Sequence, residues 1–472
     1  MEHGIYFIRA SHRFAHTVVT CIWKSFYSLA LSSGIGEEVW VLTYMFYKEF
    51  PKLRSSSPKP CSIKGWIASK KPTDNIIVVR TISDAGTYTR YIVVKCCSRD
   101  LLKLPRESLI ELKGYGDDGG FVATSYKVLY KPVDEPQVDY TEDIERYDPE
   151  YLARYSQWFI RSEKWMKIVV LQNLILKYAR EYLYSQGFLE ILAPMIAPVS
   201  DPGLRGAKKL KTIFYGMEYE LTSSVIMYKQ VSASVFGKIF FMARNVREEP
   251  REHISTGRHL AEFTQLDLEW GLASIEDVMD LAEKLIHYIT KKLADKHSDL
   301  VYNLNKGFEV IEPGYPRIKY DEALEIVDKL GYKVGWGKEL SREAETALAE
   351  YYGTPVWVVG YPVISRGFYY IPDPLDPRYN KDFNLILPKG YGEVIDGGER
   401  EYRYSKLLER LKSIGEPLEK YSWFIDTVKR GGVGPSAGWG LGVERLTRYI
   451  AGLRHIVLAT AFPKLPGIVP TP

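Results

Sequence analysis

One charged segment constrains this chain more than any other, the run VREEPREHISTGRHLAEFTQLDLEW at residues 246–270. Side chains of a β-strand point alternately to opposite faces. In the second half of the run, one face therefore carries Phe263, Gln265, Asp267 and Glu269, and the other carries Thr264, Leu266, Leu268 and Trp270. We predict two strands joined by a loop. One face belongs to a core, and the other, with an aromatic ring among carboxylates, suits a purine, magnesium-bound phosphates and an ammonium group.

Two further motifs accompany this segment. The charged run resembles motif 2 of the class II aminoacyl-tRNA synthetases, and GWGLGVER at residues 438–445 resembles motif 3. GFLEILAP at residues 187–194 follows an amphipathic run from Lys164 to Gln186 and resembles motif 1. Three motifs in this order are far more specific than any one of them. The resemblance implies an α+β catalytic domain, with helices flanking an antiparallel sheet, and a homodimer whose interface lies at motif 1.

Length and composition agree with this resemblance. The 472 residues suffice for two or three domains with a sizeable core. The net charge of +4 is too small to indicate nucleic-acid binding by itself. The cysteines Cys21, Cys61, Cys96 and Cys97 lack the spacing of a zinc site or a disulfide framework, so we expect a reducing compartment, the cytoplasm. Because no apolar run is long enough to span a bilayer, no membrane partner is expected.

Changes of composition along the chain predict the domain order. Residues 1–60 make up an N-terminal extension and linker, either functional or the result of a start codon assigned ahead of Met45. Residues 61–136 contain five short β-rich segments between Pro, Asp and Gly clusters, which indicates a small β-barrel. An acidic, tyrosine-rich linker at 137–160 leads to a catalytic domain at 161–472.

The predicted barrel resembles the OB-fold that binds the anticodon in aspartyl-, asparaginyl- and lysyl-tRNA synthetases. That family stacks one anticodon base on a phenylalanine of the second strand and reads another with a glutamine of the third. Here the second strand has Val78 and Val79, and the third has no glutamine. The domain is therefore degenerate as an anticodon reader. Either Arg80 and Tyr91 supply phosphate and stacking contacts, or the barrel serves stability or dimer packing.

An insertion at about 301–374 lies between motifs 2 and 3. Its segment PRIKYDEALEIVDKLGYKVGWGKEL resembles the corresponding insertion of archaeal and eukaryotic aspartyl- and asparaginyl-tRNA synthetases. The resemblance narrows the subclass to the aspartate, asparagine and lysine enzymes. Apolar residues at helical spacing predict one buried stripe on the helix of this insertion: Ala323, Ile326, Val327 and Leu330.

The resemblance places ATP against motifs 2 and 3. Arg247 is expected to hold the α-phosphate, Arg445 the γ-phosphate, and Phe263 to stack on adenine. The whole expected ATP-binding set is Arg247, Arg258, His259, Phe263, Glu393 and Arg445, with catalytic roles for Arg247, Arg445 and Glu249. When charges are arranged in advance around an in-line displacement, catalysis is mostly orientation and electrostatics.

A magnesium ion, the cofactor expected with ATP, is assigned to Glu393 and Asn384. The family usually has an aspartate at the position of Asn384, in the segment DFNLI. Asparagine ligates a cation through its carbonyl oxygen but brings no charge.

The amino-acid site is expected to comprise Lys229, Asp267, Arg400 and Ser223. Lys229 lies where the family's aspartate enzymes have a lysine for the substrate side chain, and Arg400 follows Glu393 at the family's separation. Asp267 is expected to face the substrate ammonium group. Two cations that converge on one side chain select a carboxylate over an amide. We therefore expect aspartate rather than asparagine.

The expected activity is an ATP-dependent ligation that activates aspartate as aspartyl-adenylate, releases pyrophosphate and transfers the aspartyl group to tRNA. Departures from the usual family residues, at Ile226, Asn384 and Lys464, resemble the archaeal asparagine synthetase-related branch. The alternative is therefore an asparagine synthetase, in which ammonia captures the adenylate to give asparagine, AMP and pyrophosphate. A third alternative, a non-enzymatic paralogue, is disfavoured by the intact Arg247 and Phe263.

Overall fold

The computed structural model describes residues 60–82, 89–117, 120–200, 207–468 and 471–472. The predicted N-terminal extension, apart from Pro60, lies outside the described residues. The chain divides into two compact units, the first ending at Glu135 and the second running on from Pro136. No helix in the described part of the chain combines the length and the apolar character that crossing a membrane requires.

The first unit contains five strands: β1 (Cys61–Lys71), β2 (Ile76–Ile82), β3 (Thr89–Lys95), β4 (Leu109–Asp117) and β5 (Gly120–Tyr130). They close into a barrel in the order β1-β2-β3-β5-β4, and the short helix α1 (Asp100–Lys103) joins β3 to β4. Apolar side chains that point inward, among them Ile67, Val79 and Leu112, fill the interior. The predicted OB-fold-like barrel is confirmed.

Val79, one of the valines on the strand where the family has its stacking phenylalanine, and Arg80, a candidate for phosphate contact, both serve the barrel itself. Val79 is fully buried in the barrel core. The Arg80 guanidinium lies 4.6 Å from the centre of the Trp66 ring and donates a hydrogen bond of 2.8 Å to Glu107. Because the charge of Arg80 is matched and largely covered, these contacts speak against the expected phosphate contact.

The strands of the second unit are β6 (Leu189–Glu190), β7 (Ile196–Ala197), β8 (Lys211–Phe214), β9 (Met217–Leu221), β10 (Lys238–Val246), β11 (Glu262–Gly271), β12 (Arg317–Lys319), β13 (Val356–Val359), β14 (Asp382–Leu387), β15 (Gly392–Glu399) and β16 (Ser436–Gly442). Eight of them form one sheet in the order β12-β13-β14-β15-β16-β11-β10-β6, and β7, β9 and β8 form a small second sheet. The inner pairs of the large sheet are antiparallel, as predicted, whereas its outermost pairs, β12–β13 and β10–β6, are parallel.

The helices of the second unit are α2 (Pro149–Arg154), α3 (Ser156–Phe159), α4 (Glu163–Ser185), α5 (Ile226–Phe236), α6 (Ile275–Leu304), α7 (Tyr320–Lys329), α8 (Arg342–Tyr352), α9 (Tyr404–Ser413), α10 (Ser422–Lys429) and α11 (Val443–Ile450). The amphipathic run before motif 1 is α4, whose first turn is capped by the Ser162 side chain. The fully buried Trp439 of β16 donates a hydrogen bond of 2.9 Å to the Val278 carbonyl and so ties α6 to the sheet. The predicted α+β class is confirmed.

The insertion between motifs 2 and 3 builds a core from α7, α8, β12, β13 and part of β14. Ala323 and Val327 of α7 are fully buried in it, as predicted. Leu330 is 43% exposed, however, and does not continue the stripe. The helix ends at Lys329 because Gly331 takes a left-handed conformation, with φ of 93°.

Candidate active site

The charged segment of motif 2 forms β10, a loop and β11. The two strands pair antiparallel, with Asn245 opposite Phe263. Leu266 and Leu268 are buried on one face of β11, while Phe263 and Gln265 line a cavity on the other face. The predicted pair of strands, with one face in the core, is confirmed.

This cavity collects side chains that are far apart in the sequence. Strands β11 and β15 both neighbour β16 in the sheet, and α11 begins directly after β16. The cavity is therefore lined by motif 2, by β15 and by motif 3, including Arg247, Glu249, Arg258, His259, Phe263, Glu393 and Arg445. The structure thus brings the whole expected ATP-binding set together, while the ligand of these residues stays a prediction.

The arginines of the cavity are held by partners. The Arg247 guanidinium lies 5.1 Å from the centre of the Phe263 ring and donates hydrogen bonds of 3.1 and 3.3 Å to the Ser223 carbonyl. Arg445 Nη1 donates to the Glu393 carboxylate at 3.0 Å and to its carbonyl at 2.9 Å. Arg258 pairs with Glu345. These contacts fix the positive groups in place before any phosphate arrives, which is the preorganisation that phosphate chemistry requires.

His259 is held between Thr256 and the arginines. Its Nδ1 lies 2.7 Å from Thr256 Oγ1. Burial, together with the positive charges of Arg445 and Arg258, lowers the pKa of His259 to about 2. The imidazole is therefore uncharged near neutral pH, so His259, expected in the ATP-binding set, offers no positive charge to a phosphate.

The amino-acid pocket is a buried network of four charges. Lys229 Nζ lies 3.2 Å from Asp267 Oδ1 and 3.8 Å from Glu269 Oε2. Arg400 donates to both oxygens of Glu269, at 3.0 and 3.1 Å. Lys229, Asp267, Glu269 and Arg400 are each no more than 3% exposed. Two cations thus face two carboxylates, and the argument that two unopposed cations select aspartate is wrong.

Two atoms of this network have no hydrogen-bond partner among the described residues. They are Asp267 Oδ2 and Arg400 Nη1, and both are buried. A buried polar atom that lacks a partner costs roughly 1–3 kcal/mol. A bound ligand could therefore donate a hydrogen bond to Asp267 Oδ2 and accept one from Arg400 Nη1.

The glycines of motif 3 make room for the carboxylates. A Cβ atom at Gly438 would lie 2.1 Å from the Leu268 carbonyl oxygen and 2.3 Å from a Glu269 carboxylate oxygen. A Cβ atom at Gly440 would lie 3.0 Å from Asp267 Oδ1. Glycine at these two positions of β16 therefore leaves space for the side chains of Glu269 and Asp267 on β11.

The two expected magnesium ligands, Glu393 and Asn384, are not equally suited to bind the ion. Asn384 Oδ1 accepts a hydrogen bond of 2.7 Å from Arg366, and Asn384 Nδ2 donates one of 3.1 Å to Glu393. Arg366 has only donors, so the oxygen of Asn384 faces Arg366 and its nitrogen faces Glu393. An amide nitrogen does not ligate magnesium, so Asn384, whose assignment stays a prediction, could act as a ligand only if its oxygen left Arg366. Glu393 fits, since Mg²⁺ is commonly held by one carboxylate together with substrate phosphates.

Ser223 has a different place from the one expected. Its hydroxyl lies 2.8 Å from the Ser200 hydroxyl, and its carbonyl accepts the two hydrogen bonds from Arg247. These contacts make Ser223 a residue that positions Arg247, with its side chain directed to Ser200 rather than to the four-charge network.

Three further residues of the site escaped the sequence reasoning in these roles: Glu269, Glu345 and Arg366. Strand alternation already put Glu269 on the site face, so counting charges on that face would have found the partner of Arg400. No local pattern signals Glu345, which pairs with Arg258 across 87 residues of sequence. Arg366 belongs to the insertion, and only the tertiary structure brings it into contact with Asn384.

The chain is similar in sequence and in fold to known tRNA synthetases. Residues 148–466 match the family model of the tRNA synthetases class II (D, K and N). The asparagine–tRNA ligase of Pyrococcus abyssi is 32% identical over 424 residues, which is 87% of this chain and 95% of the relative. The crystal structure of asparaginyl-tRNA synthetase from Pyrococcus horikoshii complexed with asparaginyl-adenylate is 28% identical with a TM-score of 0.76, covering 87% of this chain and 96% of that one.

The aspartyl tRNA synthetase from Entamoeba histolytica shares the fold, with a TM-score of 0.71 at 21% identity over 89% of this chain and 91% of its own. Likeness of fold alone therefore does not identify the amino acid. The relatives named above are tRNA ligases, and the ammonia-dependent alternative receives no support from them.

Proposed function

The chain belongs to the class II tRNA synthetases of the D, K and N group, so its reaction class is aminoacyl-tRNA ligation, and we propose that its amino acid is asparagine. This proposal replaces the expected aspartate. It is supported by the relatives named asparagine–tRNA ligase and by the charges of the amino-acid pocket.

The observation that carries the proposal is the charge balance of that pocket. Lys229 and Arg400 are matched by Asp267 and Glu269 within hydrogen-bonding or ion-pair distance. A free amino acid with a neutral side chain, which carries one ammonium and one carboxylate group, leaves this balance unchanged. Beside Arg400, where the substrate side chain is proposed to lie, the additional carboxylate of aspartate would also be near Glu269, the partner of Arg400. Like charges repel strongly where burial limits screening by water. The pocket therefore favours the carboxamide of asparagine.

The two atoms without partners suit the same ligand. Asp267 Oδ2 is a buried acceptor for the substrate ammonium group, and Arg400 Nη1 is a buried donor for the side-chain carbonyl oxygen. Asparagine has one carboxylate, so the group to be activated is its α-carboxylate.

The cavity beside this pocket suits ATP. Phe263 offers a face for adenine, and Arg247 and Arg445 offer guanidinium groups for phosphate oxygens. In the proposed reaction the α-carboxylate attacks the α-phosphorus of ATP and displaces pyrophosphate. The terminal hydroxyl of tRNA then attacks the carbonyl carbon of the adenylate, and AMP leaves. The arginines neutralise charge that develops on the phosphates, and no side chain acts as a nucleophile. Mg²⁺ held at Glu393 would contribute further neutralisation of phosphate charge.

A homodimer is part of the proposal. The motif 1 segment, together with the two residues after it, exposes large apolar side chains, and it contains the edge strand β6 of the large sheet. The exposed fractions are 48% for Leu189, 91% for Leu192, 55% for Met195 and 37% for Ile196. Contiguous exposed apolar residues of this kind are typical of a protein interface.

Pyrophosphate exchange and tRNA charging test the proposal together. Asparagine with ATP and Mg²⁺ should support exchange of labelled pyrophosphate, and aspartate should not. Labelled asparagine should then appear on tRNA that carries an asparagine anticodon. Exchange that depends on aspartate instead, or asparagine formed from aspartate and ammonium, would overturn the proposal.

A further inference from the structure

We propose that Glu249, His253 and His259 form a binding site for a divalent transition-metal ion of the Zn²⁺ type, and that the bound ion excludes ATP. The second part rests on the proposed function, because it assumes that the cavity takes ATP. Among the described residues, one group of potential ligands has its ligand atoms all within 4.8 Å of one another, and it is this group. Two imidazoles and one carboxylate are a ligand set that zinc accepts.

The spacing of the ligand atoms suits a small ion. Glu249 Oε2 lies 2.9 Å from His253 Nδ1. Two ligands of a tetrahedral ion with bonds of about 2.0–2.1 Å lie roughly 3.3 Å apart, so this pair needs little adjustment. The rings of His253 and His259 are neighbours, with centroids 4.7 Å apart. The ligand atoms of the three residues all lie within 4.8 Å of one another, so side-chain movements on the order of 1–2 Å would bring them to bonding distance.

The hydrogen bonds of Thr256 settle which nitrogen of His259 is available. The Thr256 hydroxyl donates to the His253 carbonyl at 2.6 Å, so it accepts from His259 Nδ1 at 2.7 Å. A neutral imidazole that donates from Nδ1 has a lone pair on Nε2. Such a nitrogen repels a phosphate oxygen but binds a metal cation. The same hydrogen bond also orients the ring, as outer partners of metal-binding histidines commonly do.

The arginines near the cluster oppose a cation, but carboxylates offset part of their charge. Arg258 and Arg445 are already paired, with Glu345 and Glu393 respectively. Glu249 adds a carboxylate of its own. Glu249 and His259 both line the cavity that contains Phe263 and Arg247. An ion bound to them would take up the wall against which the nucleotide is proposed to lie.

His253 provides the test, because it has no assigned part in ligation. The full chain, freed of metal by chelation, is titrated with Zn²⁺ by calorimetry and with Co²⁺ by visible absorbance. His253→Gln removes one ligand while its amide still donates to Glu249. His287→Gln is the matched control, since His287 lies 3.4 Å from Glu312 outside the cluster. Histidines of the N-terminal extension are present in all three proteins and cancel in the comparison.

We expect wild type and His287→Gln to bind one metal ion at least about 100-fold more tightly than His253→Gln, since even outer partners of metal ligands are worth 10–100-fold. Equal binding by all three proteins would overturn the site.

The exclusion of ATP is tested on the same proteins. Saturating Zn²⁺ should weaken ATP binding at least tenfold in wild type and not in His253→Gln. Equal weakening in both would overturn the exclusion of ATP. Without Zn²⁺, asparagine-dependent exchange should be the same in both. If neither protein binds ATP with Mg²⁺ present and Zn²⁺ absent, the proposed function fails while the Zn²⁺ titration still decides the site.

Discussion

Replacement of Glu269 by glutamine should shift the choice of amino acid towards aspartate. The change removes one negative charge from the four-charge network and leaves Lys229 and Arg400 opposed by Asp267 alone. A substrate carboxylate about 6 Å from Glu269 would feel a repulsion of about 3 kcal/mol at an effective dielectric constant of about 20. Removal of that repulsion should lower the preference for asparagine by about 2–3 kcal/mol, which is roughly 30- to 150-fold in the ratio of kcat/KM values.

The assay for this prediction is pyrophosphate exchange with asparagine and with aspartate on the same preparation of Glu269→Gln. The ratio of the two rates is independent of the fraction of folded enzyme, which matters because Glu269 is fully buried and bonded to Arg400. Glu283→Gln is the matched control. Glu283 is also a buried carboxylate that pairs with an arginine, Arg317 at 3.3 Å, but it lies on α6 outside the pocket. An unchanged ratio in Glu269→Gln would refute the charge-balance argument.

Three further outcomes are expected. Arg445→Ala should lower asparagine-dependent exchange about 100-fold or more, because one preorganised donor is lost; an unaffected rate would remove Arg445 from the catalytic site. Glu393→Gln should raise the Mg²⁺ concentration needed for half-maximal exchange, and Asn384→Ala should not; equal shifts would restore Asn384 as a metal ligand. Leu192→Glu places a charge on the exposed apolar row of motif 1 and should convert the dimer to monomer in sedimentation velocity; a persistent dimer would place the interface elsewhere.

Local patterns predicted the scaffold of this site well. Alternation along β11 depends only on which face of a strand is buried, so it was readable from ten consecutive residues. The helix α4 and the barrel strands were likewise predictable from local patterns, an amphipathic run and short β-rich segments respectively. Leu330 shows the limit of such reasoning, because the apolar spacing extends to Leu330 in the sequence whereas the helix ends at Lys329, ahead of the left-handed Gly331.

Pairing between distant charges was not readable in the same way. Lys229 and Arg400 were identified as pocket residues, but the conclusion about aspartate required knowing that Glu269 contacts both of them. Asn384 was assigned to magnesium from its position, but its oxygen already accepts a hydrogen bond from Arg366, a residue of the insertion. In both cases the sequence shows which charged and polar side chains are present. Only the tertiary structure shows which of them already form ion pairs or hydrogen bonds with each other.

The glycines of β16 have a consequence for how such a pocket can change its substrate. Because a Cβ atom would collide with Glu269 at Gly438 and would crowd Asp267 at Gly440, one wall of the pocket is bare backbone and has no side chain to exchange. Variation in substrate choice must therefore arise on the walls that carry side chains, on α5, β11 and the residues after β15. A library designed to alter the amino acid would leave motif 3 untouched and concentrate its diversity on those three segments.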